Sequence, residues 1–145
     1  MASIWGATPR QSIEAECRRR GRRALVGGCV DLLEGRDVDD SLVVALGGPM
    51  AENVLSGKAG GTSGYWPRVW AARGLLYVWD EEAGSALVRA TTDASWRVRE
   101  MAAKVIARHS VGEALDSAVR LQHDPVARVR VAAERAVRAV TQAGA

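Results

Sequence analysis

The sequence contains no phenylalanine, only two cysteines and two histidines, and no apolar run long enough to cross a bilayer. Its longest apolar window, LVVALGG, is far shorter than the roughly 20 residues that a membrane-spanning helix needs. Cys17 and Cys29 do not form a CxxC pattern, so neither a disulfide scaffold nor a zinc knuckle is expected. The N-terminal stretch MASIWGATPRQ has no basic segment followed by an apolar one. These absences predict a cytoplasmic protein without a membrane anchor.

The residue patterns that would mark a reaction centre are also missing. His109 and His123 are isolated, and neither HExxH nor GxSxG occurs. The glycine-rich stretch SGKAGGTSG lacks the Ser or Thr that follows the lysine of a phosphate-binding loop, because Ala59 follows Lys58. We therefore predict a protein that is not an enzyme, with no catalytic residue, no metal site and no cofactor.

The residues that are present suit a helical, globular chain. Of 145 residues, 48% are hydrophobic and 26% charged, as in ordinary soluble domains. Alanine, valine and leucine dominate the apolar share without the alternation of a strand, which favours helices. The net charge of +3 arises entirely after residue 64, where twelve basic residues face nine acidic ones. Such a weak basic bias is compatible with nucleic-acid binding but does not require it.

Capping residues and glycines divide the first part of the chain. Thr8 at an N-cap, Pro9 and Gln11 predict a helix from Pro9 to about Glu34, with a bend or break at one of its glycines. Two shorter helices are expected at about 40–46 and 49–56. Together these form a predicted N-terminal helical cap over residues 9–56. Residues 57–64 are predicted as a flexible surface loop and the main internal boundary.

After this loop the sequence repeats with a spacing of 31 residues. DASWRVREMAAKV at 93–105 returns as DPVARVRVAAERA at 124–136, and a third, degenerate copy starts near Tyr65. Each copy predicts a helix, a tight turn and a second helix. Three features predict where the helices open: Asp80, a capping box of Ser110 with Glu113, and Asp124 followed by Pro125.

The repeated segments VREMAAKVIARH and VRVAAERAVRAV, each preceded by an aspartate, resemble HEAT repeats, particularly the short variety of the bilin lyases. The resemblance covers about residues 65–140, with departures at Pro67 and Trp96. It implies an all-α fold in which residues 65–143 form a short α-solenoid of stacked helical hairpins. With the N-terminal helical cap, the expected arrangement is a single domain over residues 1–145.

The resemblance also implies function. HEAT repeats usually bind proteins, so we expect a binding module that engages a protein or peptide partner. Some HEAT-like relatives, including a bacterial class of alkylpurine DNA glycosylases, instead hold DNA against a basic concave face. A nucleic-acid binder or a reduced relative of those enzymes is therefore the alternative, and an accessory of a tetrapyrrole lyase is a weaker one.

The candidate partner-binding residues are basic or aromatic. The cations among them recur in the repeat register, whereas Trp96 corresponds to Ala127 in the next copy. Arg89 and Arg120 fall on the second helices, which line a concave face in HEAT repeats. The remaining candidates are Trp96, Lys104, Arg73, Trp66 and Trp70. The aromatic pair Trp66 and Trp70 is better explained by core packing than by base stacking.

Two sets of register-equivalent cations favour simpler interpretations. Arg68, Arg99 and Arg130 favour a structural role, since in HEAT repeats this arginine pairs with a loop aspartate such as Asp93 or Asp124. In the first helix of a copy, an apolar stripe is formed at three- and four-residue spacing by Val98, Met101, Ala102, Val105 and Ile106. Arg73, Lys104 and Arg135 lie off this stripe in their own copies and are predicted to be solvated.

Two further segments are candidate contact surfaces. The run RRRGRR at 18–23 favours solvated helix surface, with a contact site as the alternative. The last repeat lacks room for a second helix, so its final helix, around Val129, Ala133 and Val137, is a candidate homodimer contact.

Overall fold

The chain folds into α-helices, as the spacing of its apolar residues predicts. The computed structural model describes residues 6–144, in which there is no β-strand; residues 1–5, where we looked for a leader segment, and residue 145 lie outside the described residues. The helices are α1 Pro9–Arg20, α2 Arg22–Leu33, α3 Asp40–Gly47, α4 Ala51–Leu55, α5 Tyr65–Tyr77, α6 Gly84–Ala90, α7 Trp96–His109, α8 Leu115–Leu121 and α9 Ala127–Ala143. None of the helices within residues 6–144 combines the length and apolar character needed to span a bilayer.

The first helix begins at its predicted capping residues. Thr8 Oγ1 accepts a hydrogen bond from the Gln11 amide at 3.1 Å, and Gln11 Oε1 accepts one from the Thr8 amide at 2.9 Å. Pro9 occupies the first helical position. The helix ends at Gly21, whose φ of 91° lies in the left-handed region that favours glycine. The predicted helix over 9–34 is therefore two helices, broken at the first of its glycines.

Glycines allow close helix contacts within the N-terminal unit, Met1–Asp80, which is compact by itself. Helix α5 packs against α2 and α3. A Cβ atom on Gly47 would lie 2.6 Å from the Trp70 ring, and one on Gly74 would lie 2.9 Å from Cys29 Sγ and Leu46 Cδ2. A side chain at either position would force these helices apart.

The packing of α5 changes the predicted domain organisation. The sequence placed the boundary in the loop 57–64, whereas the chain divides after Asp80. Helix α5 lies on the N-terminal side of this division because it buries Trp70 and Leu75 while packing on α2 and α3. The first repeat copy is consequently divided, with its second helix, α6, in the other unit.

The C-terminal unit, Glu81–Ala145, contains α6 to α9. Helices α7 and α9 pack side by side, and α8 contacts both. The predicted apolar stripe of α7 is fully buried at Val98, Ala102, Val105 and Ile106, whereas Met101 of the same stripe is half-buried. Small alanines along both long helices let their backbones approach closely. This unit therefore has a core built from equivalent positions of the last two repeat copies.

The recurring aspartates stabilise turns instead of capping helices directly. Asp93 Oδ1 accepts from the Ser95 amide at 2.8 Å, and Asp124 Oδ1 accepts from the Val126 amide at 2.9 Å. The helices that follow begin at Trp96 and Ala127, without a side-chain cap. The third unit therefore starts three residues later than the Asp124 prediction.

Two helix starts differ from the prediction. Helix α6 begins at Gly84 with no side-chain cap, four residues beyond Asp80. Ser110 ends α7 in a left-handed conformation, and its predicted capping box with Glu113 does not form. In both places a short 3-10 turn precedes the helix, which shifts the helix start away from the predicted capping residue.

Candidate functional site

Three register-equivalent arginines hold the backbone that precedes their own helices. Arg68 Nη1 donates to the Gly64 carbonyl at 3.1 Å, Arg99 Nη1 to the Asp93 carbonyl at 2.8 Å, and Arg130 Nη1 to the Asp124 carbonyl at 2.8 Å. These carbonyls lie close in sequence to the arginines that bind them. These contacts are structural, as predicted for this set, although they involve backbone carbonyls and not the predicted aspartate side chains.

Arg99 has a second role, because it binds the aspartate of the next repeat copy. Its Nε donates to Asp124 Oδ2 at 2.7 Å and its Nη2 to Asp124 Oδ1 at 3.2 Å. The two side chains are 15% and 5% exposed. Burial by itself would raise the pKa of Asp124, but the hydrogen bonds from Arg99 and from the Val126 amide outweigh burial and lower it. Asp124 is therefore a charged, buried connector of α7 to the turn before α9.

The second surface of interest surrounds Trp96, at the start of α7. The half-buried Trp96 ring packs against the core cluster of Ala103, Leu121, Val129, Ala132 and Ala133. Two guanidinium groups lie near the ring: the Arg97 carbon is 4.5 Å from its centroid and the Arg128 carbon is 5.3 Å away. Both distances fall within the range of cation–π attraction. Trp96 is thus fixed between α7 and α9 with cations beside it.

A carboxylate joins this aromatic group to the neighbouring cations. Glu100, 9% exposed, accepts a hydrogen bond from Arg128 Nε at 2.9 Å. Its other oxygen lies 4.0 Å from Lys104 Nζ. Residues 96, 100 and 104 are four apart and share one helix face. The face of α7 therefore alternates an aromatic ring, a buried acid and an exposed base.

A shallow depression of about 310 Å³ lies beside this face. It is lined by Glu100, Lys104, Ala127, Arg128, Val131, Ala132 and Arg135. We call these residues, together with Trp96 and Arg97, the α7–α9 surface. Val131 is 49% exposed in it, which is unusual for a large apolar side chain in this chain. The α7–α9 surface can thus receive an apolar side chain with polar or charged groups around it.

The predicted candidates Arg89 and Arg120 lie on other helices. Both are exposed, on α6 and α8 respectively. Arg120 Nη2 donates to Ser117 Oγ, on its own helix, at 3.1 Å. Among the described residues, no hydrogen bond, ion pair or ring contact joins Arg120 to Trp96 or Lys104. The structure therefore groups Trp96 and Lys104 with Arg128 and not with Arg120.

The aromatic candidates Trp66 and Trp70 belong to the N-terminal unit. Their ring centroids are 6.5 Å apart with an interplanar angle of 28°, and Tyr65 lies 5.0 Å from Trp66. Trp70 is 4% exposed and faces Gly47. Core packing is confirmed for Trp70, and its placement among partner-binding residues was wrong. Trp66 is half-buried.

The prediction that Arg73 is a solvated cation was wrong. Arg73 is half-buried on α5, and its Nη2 donates to the Leu46 carbonyl at 2.6 Å. Its Nε is buried without a hydrogen-bond partner. Burial lowers the pKa of the Arg73 guanidinium. The repeat register could not reveal this, because Leu46 lies 27 residues earlier, outside the repeats.

The RRRGRR run is partly neutralised by nearby carboxylates. Arg20 donates to Glu16 at 2.8 Å and to both oxygens of Asp39 at 2.8 and 3.0 Å. Burial raises the pKa of Glu16, but hydrogen bonds from Arg19 and Arg20 outweigh burial and lower it. Arg18 is exposed. Arg20 thus connects α1 to the start of α3, and the run is not a uniform basic patch.

The predicted dimer contact does not present its residues to solvent. Val129 and Ala133 are fully buried in the core of the C-terminal unit, and Val137 is half-buried. Those positions pack within the chain because α9 lies against α7 and α8. The outward residues of α9 include Val131 and Arg135 instead.

Several residues of the α7–α9 surface were missed from the sequence. Arg97 and Arg128 are separated by the 31-residue repeat spacing, but this spacing does not reveal that both lie beside the Trp96 ring. Glu100 carried a usable signal, since it lies four residues after Trp96 and four before Lys104. No comparable signal in the sequence marks Val131, because an exposed valine on an amphipathic helix differs from a buried one only in its position around the helix axis.

Within residues 6–144, no group of three or more His, Cys, Asp or Glu side chains is placed to hold a metal ion. Comparisons of this chain with protein families, with curated proteins and with solved structures found no match.

Proposed function

We propose that this chain is a non-enzymatic binding module of HEAT-like repeats that binds an acidic protein segment through the α7–α9 surface. The HEAT-like solenoid is part of the proposal. It is supported by the equivalent carbonyl contacts of Arg99 and Arg130 and by the side-by-side packing of α7 and α9. Stacked helix pairs of this kind present extended surfaces that suit macromolecular partners.

The mixed character of the α7–α9 surface carries the proposal. A surface that binds nucleic acid gains most of its affinity from cations that neutralise phosphates. Here Glu100 already engages Arg128 and lies near Lys104. An exposed Val131 and an aromatic ring stand beside these charges. Aromatic residues and arginine are enriched where proteins bind proteins, which favours a protein partner.

The charge of the depression indicates the chemistry of that partner. Its lining contains three cations, Lys104, Arg128 and Arg135, and one carboxylate, Glu100. An excess of two positive charges is best complemented by carboxylates. The partner segment should therefore carry an apolar side chain that contacts Val131, flanked by Asp or Glu.

Selection from a peptide display library with the full chain tests this proposal. Selected peptides should be enriched in acidic residues next to one apolar residue. Val131→Glu should weaken binding of a selected peptide by about tenfold or more, since it places a charge at the apolar centre. Val119→Glu is the matched control, because Val119 is an exposed valine on α8 and 41% exposed. Equal losses in the two variants would contradict the assignment of the surface.

Two further measurements distinguish the alternatives. Random duplex DNA should bind weakly even at low salt, where phosphate contacts are strongest. Tight DNA binding that is reduced by Trp96→Ala would overturn the choice of a protein partner. Peptide affinity should survive the double change Arg89→Ala with Arg120→Ala. Loss of affinity in that variant would instead favour the concave face predicted from the repeat register.

A further inference from the structure

A small cavity in the N-terminal unit has one guanidinium group in its wall. The cavity has a volume of about 200 Å³ and lies where α1 begins and α3 ends. Its lining is Ala7, Thr8, Pro9, Ser12, Ala45, Leu46, Gly47, Gly48, Pro49 and Arg73. None of these residues is acidic, and Arg73 is the one cation among them. The cavity is therefore electropositive, and the start of α1 adds the positive end of a helix dipole.

Arg73 is incompletely satisfied at this position. A guanidinium has five N–H donors, and the described structure pairs one nitrogen, Nη2, with the Leu46 carbonyl. Its Nε has no hydrogen-bond partner and almost no accessible surface, so Nε itself does not open into the cavity. No carboxylate among the described residues forms an ion pair with the Arg73 guanidinium. A carbonyl supplies only a partial negative charge. Arg73 is half-buried, and an unpaired charge is costly in proportion to its burial. An anion in the cavity would supply the opposite charge that the protein does not.

An apolar groove continues from the cavity between α1 and α3. It has a volume of about 780 Å³ and shares Ala7, Ser12 and Ala45 with the cavity wall. Ala15 and Val44 add apolar surface farther along the groove. Its lining also includes Gln11, Ser41 and the ion pair of Glu16 with Arg19. A ligand with a charged end and an apolar chain would match both parts together.

We propose that Arg73 binds the carboxylate of a small organic acid whose apolar chain lies in the groove between α1 and α3. A carboxylate fits because a guanidinium binds it through two parallel hydrogen bonds, and a single cation balances a single negative charge. A phosphate carries more charge than this wall can neutralise. The site is in the N-terminal unit and its ligand is a small molecule, so it is independent of the peptide surface on α7 and α9.

NMR of the full chain with hexanoate, acetate and inorganic phosphate tests the site at constant ionic strength. The Nε–Hε signal of Arg73 should shift progressively with hexanoate. Hexanoate should bind about tenfold more tightly than acetate, because its extra methylenes become buried in the groove. Phosphate should move the signal no more than chloride does. An Arg73 signal unmoved by saturating hexanoate, or moved equally by phosphate, would overturn the proposal.

The affinity of three variants for hexanoate, measured by calorimetric titration, is a second test of the site. Arg73→Met should lower the affinity about tenfold or more by removing the charged hydrogen bonds. Ala45→Leu keeps Arg73 and its contact with Leu46 but fills the junction of cavity and groove, so it should also abolish binding. If Arg73→Met fails to fold, the affinity of Ala45→Leu alone tests the proposed site. Arg138→Met removes an exposed arginine of the other unit that lies outside the α7–α9 surface, so this variant should bind hexanoate like the unchanged chain. Unchanged affinity in Ala45→Leu, or equal losses in Arg138→Met, would refute the site.

Discussion

Replacing Asp124 by alanine should strongly destabilise the C-terminal unit. The Asp124 carboxylate accepts two hydrogen bonds from Arg99, at 2.7 and 3.2 Å, and one from the Val126 amide at 2.9 Å. Without it, the Arg99 guanidinium keeps its backbone contacts but remains only 15% exposed with no opposite charge. Removing one partner of a buried ion pair costs about 3 to 5 kcal/mol of unfolding free energy.

Two milder substitutions separate the charge from the turn. Asp124→Asn keeps an oxygen that accepts from the Val126 amide but loses the charge and the second oxygen, which accepts from Arg99 Nε. About 1.5 to 3 kcal/mol is expected. Arg130→Met is the matched control, since Arg130 occupies the register position of Arg99 but contacts only the Asp124 carbonyl. It should cost about 1 kcal/mol, the value of one hydrogen bond.

Hydrogen exchange of α7 and α9 amides under increasing denaturant measures these costs in the C-terminal unit itself. The expected order of destabilisation is Asp124→Ala, then Asp124→Asn, then Arg130→Met. If Asp124→Ala cost no more than Arg130→Met, the buried pair would contribute no more than a loop hydrogen bond. The reasoning from burial and geometry would then be refuted.

The same pair produces a pH dependence with a defined sign. The pKa of Asp124 is lowered in the folded chain, because hydrogen bonds from Arg99 and Val126 outweigh the effect of burial. A lowered pKa contributes stability that is complete above the unfolded value near 4 and is lost as the pH falls through the folded value. The difference in unfolding free energy between the unchanged chain and Asp124→Asn should therefore be constant near neutral pH and shrink below about pH 4. A difference that grows on acidification would contradict this origin.

Other positions allow simpler tests. Gly27→Ala should stabilise the N-terminal unit by up to about 1 kcal/mol, because no atom lies within 4 Å of the new Cβ in this helix interior. Gly47→Ala should destabilise the N-terminal unit by about 1 to 3 kcal/mol, since its Cβ would meet the Trp70 ring. Urea unfolding followed by tryptophan fluorescence should show midpoints that shift in opposite directions for the two variants. Midpoints that shift in the same direction would refute this description of the packing. Burial raises the pKa of the Cys29 thiol to about 12, so Cys29 should resist iodoacetamide in the folded chain while half-buried Cys17 reacts first. Mass spectrometry of partly alkylated protein would measure the order, and equal rates would contradict it.

Contacts that are short in sequence were the easiest to predict. The capping box of Thr8 with Gln11 and the loop contacts of Arg99 each depend on residues within one turn or one loop. The 31-residue register also identified the apolar stripe of α7 correctly. Helix starts after Asp80 and Ser110 were wrong because short 3-10 turns intervene, and such turns have no clear sequence signal.

Contacts between distant segments were not predictable in the same way. The packing of α5 on α2 and α3 depends on glycines at positions 47 and 74, where the absence of a side chain matters only once the partner helix is known. The same packing places α5 in the N-terminal unit, so the chain divides after Asp80 and not in the predicted loop 57–64. The α7–α9 surface was only partly foreseen, since Trp96 and Lys104 were candidates but the acid between them was not.

The repeat register does not predict the surroundings of a side chain, as three register-equivalent cations show: Arg73, Lys104 and Arg135. Arg73 is half-buried against the end of α3, Lys104 lies near a buried carboxylate, and Arg135 is exposed in the lining of a depression. A repeat reproduces the backbone and the contacts made within each copy, so equivalent residues share only those contacts. Everything else around a side chain comes from neighbours that differ between copies. Function that is specific to one copy must therefore come from positions where these neighbours differ, and both proposed sites, at Arg73 and around Trp96, are of this kind.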